Sequence, residues 1–581
     1  MSFHSVNITG ARKIKYLQVG LLVMSTLIIA RLFHLQVNLA PGLHTRGQKN
    51  FLRLTTITPA RGNILDVHGK LLATNRPVSN VCWVGTGKRH SHEQIMAKLQ
   101  QLEPILGMPL YTDDTQLESI VLAERRYGTS PLAYDLTFEQ LSKIEELFPN
   151  DPNIRIVNSF KRFYPHGSFA CHLLGYLGRL DVDIAGRMGL EQAFETTLRG
   201  QPGSALKTID SLGKNLAEVE LRRALTGQDI HTTIDIDLQT ISEEIFPEGE
   251  SGTIIVMDAR DGALRALVSR PSFDPAIFLD PILADEWKAL QENRPFLNRA
   301  FNACYPPGSI FKLISVSAAL EHGIIKQDST WYCGGNTLFR GRKYWCSQRH
   351  GHGELSTCQA VALSCNILFF EIGKRIDINL LATYAHIFGL GTKTELPFSE
   401  KEGLIPNRAW KRAVKGERWW QGETLSAAIG QSFLLVTPIQ VARMIASIFT
   451  GYLVKPRLLD QDPIITTPLT LKSSTIDFLQ QSMKSVVTLG TGRRINTVKD
   501  IVVHAKTSTA QTSTLEMRDL GKSYMEHGWF VAHVHYKEHR PLVIVILVEN
   551  AGSSSVATSI AKSFLQKYKH HFDTEVQVHT S

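Results

Sequence analysis

Residues 305–320 read YPPGSIFKLISVSAAL, and this stretch decides how the chain folds around its chemistry. The Pro-Pro-Gly turn precedes an apolar run, which predicts a turn that leads into a buried helix. Ser309 and Lys312 are three residues apart and therefore share one face of that helix. A serine is a weak nucleophile until a base takes its proton, and a lysine that burial keeps neutral can be that base. The stretch predicts a lysine-activated serine in the first helical turn, where free backbone N–H groups favour negative charge.

Two later segments strengthen this prediction, because an isolated Ser-x-x-Lys sequence is more often a solvated helix surface. Residues 364–366 read SCN and precede the apolar run 367–370, which predicts a loop between helices. Residues 506–511 read KTSTAQ and follow 501–505, which has the composition of a strand. The three segments stand in the order and spacing of a known set of motifs for serine acyl transfer.

The length and composition of the chain predict a globular protein of two or three domains. A chain of 581 residues is too long for one hydrophobic core. Hydrophobic residues at 43% and charged residues at 20% exclude a largely disordered protein. The net charge of +9 favours contact with anionic lipid or an acidic polymer. No dense Lys/Arg stripe with interleaved aromatic residues occurs, so we expect no nucleic-acid partner.

The N-terminus has the pattern of a membrane anchor. The basic segment 12–15 precedes an apolar stretch over 16–37, in which Arg31 lies near the end and can snorkel to the interface. No small-x-small cleavage site follows, so an uncleaved single-pass anchor is favoured over a signal peptide. The basic flank predicts that residues 1–15 form a cytoplasmic tail and that the rest of the chain lies outside the membrane.

The remaining chain changes pattern near residue 230. Residues 38–230 are mixed, with the short segments RGNILD at 61–66 and GLE at 189–191, and they hold no catalytic constellation. We therefore expect a non-catalytic packing or docking region. In residues 231–581, strand-like runs at both ends enclose helices, which predicts an α+β domain with an antiparallel sheet flanked by helices.

The order of these segments resembles that of the class B penicillin-binding proteins over nearly the full chain. No glycosyltransferase region precedes the transpeptidase region, which favours class B over class A. The segments 351–353 (GHG) and 420–424 (WQGET) resemble the elongation-specific branch, penicillin-binding protein 2. Asn366 favours the septal branch, since elongation enzymes usually carry Asp there. The resemblance implies a penicillin-binding transpeptidase fold over 231–581 after the anchor and an elongated pedestal or dimerisation domain over 38–230.

The resemblance also implies an activity. The protein would be a serine-type D,D-transpeptidase that cross-links peptidoglycan stem peptides ending in D-Ala-D-Ala, in cell elongation and rod shape. Ser309 would attack the penultimate carbonyl and release D-Ala, with Lys312 as the base and the backbone N–H groups of Ser309 and Thr509 as the oxyanion hole. β-Lactams would bind the same site, and no cofactor would be required for the chemistry. Partners would be a membrane-embedded glycosyltransferase and other elongation-complex proteins, at the inner membrane with the catalytic domain in the periplasm.

The other site residues take their roles from the same resemblance. Ser364 would relay a proton to the leaving amine, and Asn366 would hold the amide of the donor peptide. Lys506 would keep the site cationic. Thr507 and Thr509 would bind the terminal carboxylate of the stem peptide.

Ser508 departs from the family pattern, because the third motif normally ends in glycine, which leaves room for a close approach. A serine side chain there would crowd the strand edge or add a hydroxyl to the substrate-binding group. Ser432 likewise replaces a usual glycine. An active enzyme, a weakened or specialised enzyme and a non-catalytic scaffold all stay open. A β-lactamase or β-lactam sensor is a further alternative, against which the anchor and the region 38–230 argue.

Cysteine and histidine residues between 333 and 365 form a candidate metal site. The candidate ligands are Cys333, Cys346, His352 and Cys365, with His350 and Cys358 as substitutes. Three thiolates and one imidazole suit a tetrahedral structural zinc. A disulfide in an oxidising compartment and buried free thiols remain alternatives. Because Cys365 lies inside the second motif, a bound metal would fix the loop that carries Ser364.

Overall fold

The computed structural model describes most of the chain as two compact units. The described residues are 8–43, 51–87, 92–110, 114–180, 183–210, 215–280, 282, 284–292, 294–512, 517 and 520–580. The first unit comprises 1–60, 76–161 and 200–226, and the second comprises 61–75, 162–199 and 227–581. Of the predicted cytoplasmic tail, residues 1–7 lie outside the described residues. All the predicted catalytic residues fall in the second unit.

The first unit begins with a helix that is long and apolar enough to cross a membrane. It spans Ile8–Phe33 and continues into a π-helical turn at His34–Asn38. The most apolar stretch within the segment Lys13–Asn38 is not buried by any other described part of the chain. An apolar helix without protein cover suits a lipid environment, and the finding agrees with the predicted single anchor.

The rest of the first unit combines small sheets with amphipathic helices. Strand Gly203–Ile209 pairs antiparallel with Leu52–Ile57 on one side and Asn215–Arg222 on the other. Trp83, Leu99 and Ile144 belong to a separate hydrophobic core, to which successive helical turns contribute. The helices are His92–Leu106, Asp114–Arg125 and Phe138–Leu147. The further strands are Leu71–Val84, Thr129–Ala133 and Ile154–Phe163. Residues 71–75 and 162–163 of these strands belong to the second unit.

The second unit is built on a five-stranded antiparallel sheet. The strand order is Leu264–Arg270, Gly252–Asp258, Leu542–Val548, His527–Tyr536, Ile501–Ala510. The strands Gly252–Asp258 and Leu542–Val548 are buried along their whole length, as their continuous apolar runs require. Among the described strands, Ile501–Ala510 pairs on one side only, so it is called the edge strand below. The third motif therefore lies at an open edge of the sheet.

Two hydrophobic cores cover the two faces of this sheet. Ile254 belongs to the core that includes residues of the C-terminal helix Ser554–Thr580, and its neighbour Ile255 belongs to the core around the motif-bearing helices. This alternation follows from the period of two in a strand. The predicted α+β fold, an antiparallel sheet flanked by helices, is confirmed.

The remaining elements of the second unit are short strands and helices. The strands are Ile64–Leu65, Leu177–Leu180, Asp183–Gly186, Ile230–His231, Thr330–Cys333, Asn336–Phe339, Arg342–Trp345, Gly353–Ser356, Tyr452–Val454 and Thr466–Pro468. The helices before the second motif are Cys171–Leu174, Gly189–Ala193, Glu195–Leu198, Ile236–Glu244, Ala284–Gln291, Lys312–Glu321 and Thr357–Ala362. The helices after it are Asn366–Arg375, Ile378–Ile387, Arg408–Lys415, Gln421–Ala427, Pro438–Thr450, Ser473–Thr488 and Ser554–Thr580.

Two segments from before residue 230 pack into the second unit. Arg61 Nε donates to Glu191 Oε2 at 2.6 Å, and Arg162 Nε donates to Glu191 Oε1 at 2.7 Å. Glu191 is completely buried, and a buried carboxylate that lost such partners would be strongly destabilising. The unit that carries the active site is thus stabilised by residues that lie far earlier in the chain.

Candidate active site

Ser309 lies in a tight turn at the start of the helix Lys312–Glu321. Gly308–Ile310 form one 3₁₀ turn, and the helix follows directly. Gly308 has φ +52°, and a Cβ at this position would lie 2.4 Å from Ser508 Oγ, so glycine is required on both grounds. The predicted turn and helix are confirmed. We call residues 305–310 the nucleophile turn.

The segment 430–432 supports the nucleophile turn. Gly308 N–H donates to the Gly430 carbonyl at 3.0 Å, and a Cβ at Gly430 would lie 1.9 Å from Gly308 O. Ser432 has φ +75°, a region that favours glycine. The backbone conformation explains why the family pattern usually has glycine at this position, and Ser432 adopts this left-handed conformation although it has a side chain.

The Lys312 side chain is completely buried, and its amine lies against the second motif. Nζ donates to Ser364 O at 2.8 Å, to Ser364 Oγ at 3.1 Å and to Asn366 Oδ1 at 2.7 Å. Within the described part of the chain, no hydrogen bond joins Nζ to Ser309 Oγ, although the i,i+3 spacing predicts that they approach each other. Burial lowers the pKa of Lys312 to about 8. The amine is therefore positioned by the second motif and can be neutral near physiological pH.

The second motif forms a strained turn between the helices Thr357–Ala362 and Asn366–Arg375. Ser364 has φ +55°, a left-handed conformation that is uncommon for a residue other than glycine. This conformation directs both the carbonyl and the hydroxyl of Ser364 at the Lys312 amine. Asn366 Nδ2 donates to Trp345 O at 3.1 Å, which fixes the orientation of the amide. The predicted loop between helices is confirmed.

Lys506 brings a second amine to the same hydroxyl. It is completely buried on the edge strand, and its Nζ donates to Ser364 Oγ at 3.2 Å and to Thr507 O at 3.0 Å. Burial, and then repulsion from Lys312, lower the pKa of Lys506. Two ammonium groups at one hydroxyl repel each other, so the two lysines favour a state in which they do not both carry a proton.

The two threonines of the third motif have different partners. Thr507 Oγ1 lies 2.5 Å from Thr491 Oγ1, and Thr509 Oγ1 accepts the backbone N–H of Ser554 at 3.1 Å. Sequence reasoning missed Thr491. The signal that could have found it is the segment GTG at 490–492, where small residues between a helix and a strand permit a close approach.

Ser508 points into the protein, toward the nucleophile turn. Its Oγ accepts the backbone N–H of Ser309 at 2.7 Å and donates to Pro307 O at 2.9 Å. Only 2% of the residue is exposed. The hydroxyl therefore lies under Ser309 rather than beside the two threonines of the predicted carboxylate site.

A buried polar network holds the nucleophile turn from the other side, and sequence reasoning missed it. Tyr305 Oη donates to Glu549 Oε1 at 2.6 Å, and Arg299 Nε donates to the same oxygen at 3.0 Å. Trp529 Nε1 donates to Pro306 O at 3.2 Å. The partners come from residues more than 200 positions away, so no local pattern reveals them.

Four predicted ligands form one cluster behind the second motif, which we call the cysteine–histidine cluster. The ligand atoms of Cys333, Cys346, His352 and Cys365 all lie within 4.8 Å of one another. His352 Nδ1 is 3.5 Å from Cys333 Sγ and 3.6 Å from Cys346 Sγ. The hydrogen bond with Cys365 lowers the pKa of Cys346 below its ordinary value. The predicted convergence of these four residues is confirmed.

The alternative of a disulfide in this cluster is wrong for this structure. Cys346 Sγ and Cys365 Sγ are 3.9 Å apart, about twice the length of an S–S bond, and all the cysteines are free. The substitute ligands do not join the cluster: Cys358 Sγ contacts Ser485 Oγ at 3.5 Å, and His350 is exposed.

Comparison with known proteins decides the family. The family model for the penicillin binding protein transpeptidase domain matches residues 252–566, and that for the penicillin-binding protein dimerisation domain matches residues 56–232. The chain belongs to the penicillin-binding protein transpeptidase family. This penicillin-binding protein carries its Ser-x-x-Lys, Ser-x-Asn and Lys-Thr-Ser motifs within the matched transpeptidase region.

Similar proteins place it near the elongation-specific branch. Peptidoglycan D,D-transpeptidase MrdA of Acinetobacter baumannii is 29% identical, over 94% of this chain and 86% of that protein. MrdA of Escherichia coli K12 is 26% identical, over 94% and 92%. A solved complex of penicillin-binding protein 2 with MreC from Helicobacter pylori is similar with a TM-score of 0.77, at 26% identity over 89% of this chain and 99% of that one. The predicted resemblance to class B and to penicillin-binding protein 2 is confirmed.

Proposed function

We propose that this protein is a peptidoglycan D,D-transpeptidase of cell elongation, which cross-links stem peptides ending in D-Ala-D-Ala through a serine acyl-enzyme. The observation that carries the proposal is the meeting of two buried amines at Ser364 Oγ, 3.1 Å from Lys312 and 3.2 Å from Lys506. The third motif is also tied to the turn of Ser309, so all three motifs form one site. Similarity to MrdA proteins over 94% of the chain supports the substrate class.

In the acylation step, neutral Lys312 takes the proton of the Ser309 hydroxyl. A bond forms between Ser309 Oγ and the penultimate carbonyl carbon, and the C–N bond to the terminal D-Ala breaks. Ser364 relays a proton to the departing nitrogen, because its hydroxyl contacts both lysine amines. General acid–base catalysis of this kind contributes about 10²–10⁴-fold to the rate.

In the second step, the amine of another stem peptide attacks the acyl-enzyme and restores the Ser309 hydroxyl. Asn366 orients the amide of the donor peptide, and Lys506, Thr507 and Thr509 form the carboxylate site. Thr491, which lies 2.5 Å from Thr507, orients that hydroxyl. The backbone N–H groups of Ser309 and Thr509 stabilise the oxyanion.

The experiment that tests the activity is labelling with a fluorescent penicillin followed by gel electrophoresis. The transpeptidase gives a slowly decaying label on the wild type and no label on Ser309→Ala. Rapid loss of the label would instead indicate a β-lactamase. No label on a folded wild type would indicate a non-catalytic scaffold and contradict the proposal. Cross-linked muropeptides that decrease when the protein is depleted would confirm the cellular reaction.

We place the protein in the inner membrane with residues 1–15 in the cytoplasm, an anchor over 16–37 and both later regions in the periplasm. Residues 38–230 serve as the pedestal or dimerisation domain and residues 231–581 as the transpeptidase domain. Its partners are elongation-complex proteins and a membrane-embedded glycosyltransferase. The support comes from the uncovered apolar helix, from the solved MreC complex of a similar protein, and from a solved peptidoglycan synthase complex with a TM-score of 0.73 at 28% identity over 95% of this chain and 97% of that one.

We also propose that the cysteine–histidine cluster holds a structural zinc ion. Tetrahedral zinc with bonds of about 2.0–2.3 Å places neighbouring ligand atoms about 3.3–3.8 Å apart. Three of the six separations, at 3.5, 3.6 and 3.9 Å, lie in or near this range, and all six are within 4.8 Å. The ion would hold Cys365 and thereby the turn of Ser364.

Metal analysis of gently purified protein tests this second proposal. About one zinc per chain is expected for the wild type and for the control Cys358→Ser, whose thiol lies outside the cluster. Less than about 0.2 zinc per chain in the wild type would contradict it, as would a His352→Ala variant that keeps its zinc fully.

A further inference from the structure

The side chain of Ser508 accepts a hydrogen bond from the backbone N–H group of Ser309, the proposed nucleophile. Its hydroxyl accepts the Ser309 N–H at 2.7 Å, a short distance for a bond between neutral groups. The hydroxyl donates its own hydrogen to Pro307 O at 2.9 Å. Because that hydrogen is engaged, a lone pair of Ser508 Oγ faces the Ser309 N–H.

The position of the hydroxyl is closely bounded. Ser508 stands opposite Trp529 in the edge-strand register, and Trp529 is completely buried. On the other side, a Cβ added to Gly308 would lie 2.4 Å from Ser508 Oγ and 3.3 Å from Ala510. The hydroxyl therefore fills the space between the edge strand and the nucleophile turn, and only a residue without a side chain fits opposite it.

The occupied N–H group matters for acyl transfer. When Ser309 Oγ attacks a carbonyl, the oxyanion develops next to the same residue. The Ser309 N–H lies in the 3₁₀ turn directly before the helix Lys312–Glu321, close to a helix N-terminus, which favours negative charge. Loss of one such backbone or side-chain donor lowers the rate by about 10²–10³-fold in a well-studied protease. The Ser309 N–H carries one hydrogen, so Ser508 Oγ and the oxyanion compete for it.

We infer that Ser508 is a positioning residue that slows acylation in this protein. Its hydroxyl holds the Ser309 N–H in the resting site, and the oxyanion must displace or share it. The same two hydrogen bonds tie the edge strand to the nucleophile turn, so the residue increases the stability of the site at the expense of rate. This inference rests on the proposed acyl-transfer function and adds to it a built-in limit on the acylation rate.

Two substitutions separate the hydroxyl from the bulk of the side chain. Ser508→Ala removes the hydroxyl and keeps Cβ, and Ser508→Gly removes both. The second-order rate constant of acylation by a fluorescent penicillin is measured on the full-length protein in detergent, with the melting temperature as a second readout. Both variants are expected to acylate about tenfold faster or more, since a donor is freed. Their melting temperatures are expected to fall by about 2–4 °C, since a buried tether is lost.

Ser315→Ala is the matched control. Ser315 Oγ donates to Ala428 O at 2.8 Å, so this buried hydroxyl also ties two segments of the same unit together. Its removal is expected to lower the melting temperature without raising the acylation rate. A faster acylation rate combined with a lower melting temperature is therefore specific to Ser508, because substitution of a residue with only a structural role does not raise the rate.

The outcomes distinguish this inference from the proposed function. A labelled wild type with Ser508→Ala no faster than wild type would overturn the inference and leave the function intact. A rise in Ser508→Gly alone would also overturn it, since bulk rather than the hydroxyl would then limit the rate. An unlabelled wild type would contradict the proposed function even if Ser508→Ala were labelled, and it would overturn the inference as well, because the inference assigns a slower acylation rather than a complete block. No label on any folded variant would overturn the function and the inference together.

Discussion

The second motif has two sides, and they are built from opposite chemistry. On the front side, Ser364 and Asn366 contact the amines of the lysine pair. On the back side, Cys365 joins the cysteine–histidine cluster. The front holds two basic groups that repel each other when both are protonated, and the back holds thiols whose deprotonated forms, thiolates, attract cations. One turn, with a positive φ at Ser364, therefore contacts both the two lysine amines and the cysteine–histidine cluster.

The largest expected effect lies on the front side. Lys312→Gln keeps a polar amide on a shorter side chain but removes the base, so the acylation rate is expected to fall about 10³-fold. Time courses of penicillin labelling measure it. Lys326→Gln, at an exposed lysine outside the site, is the control and should match the wild type. A Lys312→Gln rate within tenfold of wild type would show that another group takes the proton.

The pH dependence of acylation tests the role of Lys312 on the front side separately. Burial lowers the pKa of Lys312 to about 8, and the amine is a base only when it is neutral. The neutral fraction grows as the pH rises through this value, so the rate is expected to rise about tenfold per pH unit below it and to level off above it. Labelling rates from pH 6 to 9.5 test this, and a rate that is flat or falls as the pH rises would be inconsistent with a Lys312 base.

A change on the back side is expected to have a smaller effect on rate. His352→Ala removes one member of the cysteine–histidine cluster, so the turn of Ser364 loses support, and acylation is expected to fall about tenfold. The melting temperature should fall as well, whereas Cys358→Ser should leave both unchanged. If His352→Ala lowered neither quantity, the back side would have no part in positioning Ser364.

The smallest expected effect concerns Asn366, whose backbone N–H also donates to Cys346 Sγ of the cysteine–histidine cluster at 3.4 Å. Asn366→Asp places a carboxylate on the Lys312 amine, which now bonds Asn366 Oδ1 at 2.7 Å. A nearby negative charge raises the pKa of a lysine, so the pH profile is expected to move upward by about one unit. At pH 7.5 the rate should then be less than tenfold lower than that of the wild type. A profile that moves downward would contradict the assignment of the titrating group to Lys312.

Local sequence patterns predicted the main elements of the site. The Pro-Pro-Gly turn, the strand before Lys506 and the loop at Ser364 each follow from residues within a few positions, and each is present. The four ligands of the cluster were also predicted, because cysteine and histidine restrict the chemistry strongly.

Contacts between distant segments could not be predicted. Whether the Lys312 amine meets Ser309 or the second motif depends on how two helices pack. The direction of the Ser508 hydroxyl depends on the register of the edge strand against His527–Tyr536, which a pattern with period two leaves undecided. The pairing of Arg61 with Glu191 joins segments 130 residues apart, so the composition of the chain between them gives no indication of it.

We propose that Lys312 and Lys506, together with Ser364, activate Ser309. Peptide mapping by mass spectrometry after brief exposure to penicillin tests it most directly, on wild type and on Lys312→Gln at pH 8. The predicted result is a penicilloyl adduct on the peptide that contains Ser309 in the wild type, and almost none in the variant at the same time point. An adduct on any other residue, or equal modification of Ser309 in both proteins, would contradict the claim.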